Sequence, residues 1–184
     1  MKKFFKSVAV VFAALSLGLT SCSTEDPASP LTVNVDQTAE IQGTVLMRQN
    51  LKPNSKDKIT FDAPQELNLR VTVAYKDLSG NSSASGNYVV SKDNISYNKN
   101  TGKYSIKVPV SQDGCDVKIG IADFYGTQNT QSTEDPDKYN EINGVWKYSA
   151  GEFTVSNVYP GDLKIETMKE LTFTPGKEKD DEAN

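Results

Sequence analysis

The chain has 184 residues, two cysteines and no histidine, and its Asp and Glu outnumber its Lys and Arg by 24 to 20 for a formal charge of −4. That length suits one domain with a core of its own. An acidic balance with no Lys/Arg stripe argues against binding nucleic acid, and the absence of histidine removes the commonest general base and metal ligand together.

Residues 1–21 read as a secretory leader. Lys2, Lys3 and Lys6 form the basic start and Val8 to Leu19 the apolar stretch, too short to stay in a bilayer as a spanning helix. The leader ends on Leu19-Thr20-Ser21-Cys22, which resembles a bacterial lipobox. The resemblance implies that Leu19, Thr20 and Ser21 are read by the signal peptidase, and that Cys22 opens the mature chain carrying acyl groups that anchor it to membrane lipid. Residues 22–30, with Pro27 and Pro30 and no apolar period, then read as a flexible tether. Ser23 after the cysteine resembles an outer-membrane sorting context. Glu25-Asp26 resembles the acidic signal that sends some lipoproteins to the cell surface, with the periplasmic face as the alternative.

A folded domain is expected over 31–175. It opens on the alternation of Leu31, Val33 and Val35, continued by Ile41, Gly43, Val45 and Met47. Residues 48–58 read as a loop, and Ile59 to Tyr75 as the longest strand signal, with Leu67, Leu69, Val71, Val73 and Tyr75 in one phase. Ser79 to Asn87 reads as an exposed loop. Ile95 and Tyr97, then Asn98 to Lys103, then Tyr104, Ile106, Val108 and Val110 predict a β-hairpin with Gly102 free for positive φ. Gln112-Asp113-Gly114 predicts a turn into Cys115–Phe124, where Cys115, Val117, Ile119 and Ile121 share a phase that buries the unpaired cysteine. Residues 126–143 read as a long polar loop. Ser149-Ala150-Gly151 predicts a bulge or turn, and Tyr159-Pro160-Gly161-Asp162 a type II turn before a closing region over Leu163, Ile165, Thr167, Leu171 and Phe173. Residues 176–184 read as a charged, frayed tail. Met168 to Leu171 is the nearest approach to a helical period in the mature chain. The expectation is therefore all-β: an antiparallel β-sandwich of about seven or eight strands.

Two strands carry a resemblance. Gly102-Lys103-Tyr104-Ser105-Ile106-Lys107-Val108-Pro109 resembles the G-x-Y-x-ψ-x-V-P strand of carboxypeptidase-regulatory-like and transthyretin-like β-sandwich domains. Ile41-Gln42-Gly43-Thr44-Val45 is similar to their ψ-x-G-x-V strand. The resemblance implies a transthyretin-like or Ig-like sandwich, and such folds host many functions.

The chemistry of the side chains points away from catalysis. No Ser-His-Asp or Cys-His set can be assembled and zinc lacks ligands, so no catalytic residue, metal or cofactor is expected. Asp113, Asp116, Asp123 and Glu152 could supply a carboxylate pair, but read as surface acids. Glu134, Asp135 and Asp137 read as a solvated loop in preference to a calcium site. The N-x-S sequences at Asn81 and Asn94 are explained by loop and hairpin chemistry. The candidate ligand-binding residues are Tyr125, Tyr139, Trp146 and Tyr148, with Phe124 beside them, because aromatic faces stack on sugars and anchor protein interfaces; core filling is the favoured role for Trp146, and Tyr125 and Tyr139, in polar surroundings, are expected to be exposed.

The expected protein is a non-catalytic, lipid-anchored module for binding, adhesion or assembly at the outer membrane, its further partner a glycan or an envelope protein. A carbohydrate-binding lipoprotein of a glycan-uptake system and a fimbria-like subunit are the alternatives.

Overall fold

The computed structural model describes residues 33, 35–50, 60–135 and 137–176. Leu19, Thr20, Ser21 and Cys22, the tether, most of the loop expected at 48–58 and the residues beyond Gly176 lie outside the described residues.

The elements in chain order are β1 (Thr38–Gln49), β2 (Thr60–Asp62), β3 (Leu69–Ala74), α1 (Tyr75–Ser79), β4 (Asn87–Val89), β5 (Ile95–Asn98), β6 (Lys103–Pro109), β7 (Cys115–Ile121), β8 (Phe124–Gln131), β9 (Tyr139–Lys147), β10 (Glu152–Val158), β11 (Leu163–Ile165) and β12 (Lys169–Pro175). They form two sheets. The larger runs β5-β6-β1-β12-β9-β8, with β2 and β11 also on β1; the smaller runs β10-β7-β3-β4. The fold is an all-β sandwich. Twelve strands appear where the alternation predicts seven or eight, chiefly because β2 and β4 are three residues each and too short to show a period, and most of β8 lies in the segment that reads as a loop.

The core lies between the sheets and follows the predicted phases. Ile41, Val45, Ile106, Val108, Trp146 and Leu171 face inward from the larger sheet, and Val71, Val73, Val117 and Ile119 from the smaller; all are essentially sealed from solvent. Cys115 is buried among them, and burial pushes its thiol pKa up.

The larger sheet is built around β1, whose first half pairs antiparallel with β6 while its second half pairs with β2. Along its other side β11 and then β12 run parallel to it, so the sheet is mixed where simple antiparallel pairing is expected. Pairing slips by one residue between Gln42↔Ile165 and Val45↔Lys169. A one-residue slip exchanges the faces of a strand. Leu163 and Ile165 therefore point to solvent, whereas Leu171, in the same sequence phase, is buried.

The hairpin of β5 and β6 forms as predicted, with Asn98 opposite Lys103 and Gly102 at φ 69. The two family-like segments meet face to face. Gly43 pairs with Tyr104, and a Cβ at Gly43 would stand 2.3 Å from the Tyr104 hydroxyl oxygen. Only a glycine leaves room for that ring.

Two expectations are corrected, and the one weak helical signal proves to be strand. Tyr75 does not extend the preceding strand: it starts α1, a single turn that tucks Leu78 into the core and ends at Gly80 in the left-handed region. Met168 to Leu171, the nearest helical period, holds no helical turn, and Lys169 to Leu171 are the start of β12. Residues 126–143 are mostly hairpin, not loop: β8 and β9 pair over eight positions, from Phe124↔Trp146 to Gln131↔Tyr139. Both faces of its outer half meet solvent, so its Thr, Gln and Asn residues show none of the apolar alternation that marks a half-buried strand.

Candidate functional site

The β8–β9 hairpin carries the aromatic candidates and divides them between its faces. Phe124 and Trp146 are directly opposite one another on the inner face. Trp146 is completely buried, its ring 4.9 Å from that of Phe173 and its indole N–H donating to the Thr127 carbonyl at 3.2 Å. It fills the core and offers no surface to a ligand. Tyr148 is half-buried, edge-on to Phe153 with centroids 6.0 Å apart, in a contact that joins the end of β9 to β10. Of the four predicted binding residues, these two are structural.

Tyr125 and Tyr139 belong together on the outer face. Tyr125 is 89% exposed and Tyr139 54% exposed. Strand alternation puts Tyr125, Thr127, Asn129 and Gln131 of β8 on the same side as Val145, Asn143, Glu141 and Tyr139 of β9. The two rings are separated by six residues of strand, about 20 Å at ~3.4 Å per residue, with a lane of amides, a hydroxyl and one carboxylate between them.

The hairpin is held in place at its far end. Asn50, just past β1, donates its N–H to the Asn129 carbonyl and accepts from the Gln131 N–H. The nearly buried Gln49 accepts the Asn129 N–H through Oε1, and Gln128 donates Nε2 to the Arg48 carbonyl. The edge of β8 is thus stitched to the end of β1, and the outer face is presented on a braced ribbon. At the tip, Ser132 Oγ accepts the N–H groups of Glu134 and Asp135, Asp135 Oδ1 accepts that of Asp137, and Lys138 pairs with Asp135 at 3.2 Å. These acids shape the turn. No group of three or more candidate metal ligands occurs among the described residues.

The four surface acids considered for catalysis are not brought together. Glu152 pairs with Lys118, and Asp116 accepts the Asn157 N–H at a bulge where Asn157 takes φ 55. Asp113 lies in the turn before β7 and Asp123 in the link to β8.

A second surface escaped the sequence reading. A groove of about 560 Å³ crosses the outer face of β5, β6, β1 and β11, with Glu40 and Ser105 on its floor. Glu40 Oε1 accepts from both Gln42 Nε2 and Ser105 Oγ at 2.7 Å, which lowers its pKa and keeps it ionised. The available signal was the outward phase of the family-like strands, Ser105 and Lys107 against Glu40 and Gln42, all polar.

Comparison with protein-family models and with curated proteins found no match.

Proposed function

We propose that this chain is a lipid-anchored protein of the outer cell envelope whose transthyretin-like sandwich is a non-catalytic binding module, presenting the outer face of β8–β9 to a partner. The observation that carries the reading is the placement of Tyr125 and Tyr139, exposed together on a braced ribbon whose tip lies at the end of the sandwich opposite Thr38, where β1 begins. A chain anchored through Cys22 enters the domain at the Thr38 end and offers the hairpin at the other. The pairing of Gly43 with Tyr104 supports the family resemblance, since it gives the two motif positions one packing reason.

Anchoring follows from the lipobox-like sequence. Each buried acyl CH₂ contributes about 0.8 kcal/mol, and two or more chains hold a protein stably where one holds weakly. Cys22→Ser is expected to shift the protein from the membrane to the soluble fraction; an unchanged membrane fraction would refute the anchor. Protease treatment of intact cells then separates surface display, in which the domain is cut, from the periplasmic face, in which it is spared.

The lane of amides and hydroxyls between two exposed tyrosines favours a glycan as the hairpin's partner over an apolar protein surface. Affinity electrophoresis against polysaccharide gels should show retardation that Tyr125→Ala and Tyr139→Ala each weaken. Retardation as strong with both changes as without them would remove this face from the function.

A further inference from the structure

The groove on the opposite flank of the larger sheet is a surface separate from the hairpin. Its floor is rigid, because Glu40, Ser96, Ser105 and Lys107 stand on three strands joined by backbone ladders. One wall is the 3₁₀ turn Lys92–Asn94, capped by Ser91 Oγ accepting the Asp93 N–H. The other is the Tyr159–Asp162 turn, stitched to β1 by Gly161 N–H to the Thr38 carbonyl and Glu40 N–H to the Asp162 carbonyl, both 2.9 Å. A concavity of this volume falls within the range of small-ligand sites, about 300–1,000 Å³.

The polar groups of the groove are placed but not used up. Both hydrogen bonds to Glu40 end on Oε1, which leaves Oε2 able to accept. Lys107 sits directly across the strand pair from Glu40, and no described residue forms an ion pair with it. The Asn94 side chain adds a donor and an acceptor at the wall, and Ser96 on the floor, whose hydroxyl donates to the Ser105 carbonyl at 3.4 Å, keeps its acceptor capacity. Leu163, 56% exposed, supplies an apolar rim beside Glu40.

That set discriminates between ligand classes. Glu40 and Asp93 repel a phosphate or other simple anion, Asp162 is already paired with Lys164 at 3.2 Å, and Lys107 across from Glu40 offsets the field that a bare cation would meet. Groups that both donate and accept, spaced across a polar floor with one apolar rim, match a ring bearing several hydroxyls and a C–H face. We propose that this groove binds a saccharide, with Glu40 and Asn94 as the principal hydroxyl contacts, Lys107 as a further donor and Leu163 against the ring's apolar side.

The full-length lipidated protein, purified in detergent, would be applied to immobilised neutral hexose oligomers, N-acetylhexosamine oligomers and uronic-acid oligomers. Retention of at least one class is expected, and Glu40→Gln and Asn94→Ala should each weaken it tenfold or more with an unchanged melting temperature. Leu163→Ser, an exposed change, should weaken it in the same direction. Tyr125→Ala with Tyr139→Ala should leave groove-dependent retention intact, so failure of the hairpin reading and failure of the groove reading give different results. No retention of any class, or retention lost only with the two tyrosines, would overturn the proposal.

Discussion

At the level of single residues, Tyr104 and Trp146 show how packing decides the role of an aromatic ring. The Tyr104 ring lies over Gly43, and its hydroxyl is buried with no hydrogen-bond partner among the described residues. An unpaired buried hydroxyl costs ~1–3 kcal/mol, so Tyr104→Phe is expected to stabilise the fold by about 1 kcal/mol in urea denaturation at pH 7. The pH dependence has a definite sign. Burial raises the Tyr104 pKa and pushes that of Tyr97 up to about 12, while Tyr97 donates to the Pro64 carbonyl at 2.6 Å. Below the unfolded value of about 10 both states are protonated and the contribution is fully present. As the pH rises through 10 towards 12 the unfolded chain ionises first, so stability falls. The melting temperature should therefore drop across this interval, and less steeply in Tyr104→Phe; an equal slope would show that Tyr104 does not contribute. Trp146 gives the complementary case. Trp146→Ala should cost ~3–5 kcal/mol, because it empties a sealed core position, whereas Tyr125→Ala should change stability by no more than about 0.5 kcal/mol. Comparable losses from the two would contradict the assignment of one ring to the core and the other to solvent. The sequence already favours the core for Trp146 and exposure for Tyr125, and the burial of the two agrees; what it lacks is the strand pairing that sets them on opposite faces of one hairpin.

At the level of elements, the turns and half-buried strands were legible and the exposed ribbon was not. Gly102, Gly114, Gly151 and Gly161 all take positive φ at predicted turns or bulges, because only glycine adopts that geometry without cost. The alternation in β3, β6 and β7 likewise mapped directly onto burial. The β8–β9 hairpin was invisible because both faces of its outer half are wet, and the outward face of β11 could not be read because the slip against β1 adds one residue between it and β12. The candidate site was half legible for the same reason: Tyr125 and Tyr139 were singled out, but their common face came only with the hairpin register. Turn glycines also differ in a testable way. A Cβ at Gly102 would lie 2.3 Å from the Val45 carbonyl oxygen, within a strand contact in which Val45 N–H donates to the Gly102 carbonyl; at Gly151 it would meet nothing within 4 Å. Gly151→Ala should cost only the backbone conformation, ~1–2 kcal/mol. Gly102→Ala should cost at least about 1 kcal/mol more, since the β5–β6 hairpin must also move away from β1. Equal costs in chemical denaturation would show that the contact relaxes freely.

At the level of the whole molecule, the direction of β1 sets which surface faces which way. Twelve residues of strand carry the chain roughly 36 Å from Thr38 to Gln49 at ~3.3 Å per step, and the hairpin tip lies beside Asn50, just beyond. The groove lies at the Thr38 end. If Cys22 anchors the chain, every orientation of the domain keeps the Thr38 end within the length of the sequence joining it to the lipid, at most about 3.5 Å per residue. The tip is free to stand a further domain length away. This ordering can be measured on lipidated protein in vesicles carrying nitroxide-headgroup lipids. A fluorophore on Lys92→Cys reports the groove end and one on Thr133→Cys reports the tip, both positions being exposed. Cys115 does not compete for the label, because it is buried and its thiol is shifted towards the protonated form. Quenching is expected to be stronger at position 92 than at 133, and the difference should vanish when Cys22→Ser removes the acyl chains. Stronger quenching at 133 would mean that the tyrosine face is turned to the membrane. The hairpin partner would then have to be sought at the lipid surface, and the groove would become the face open to solvent.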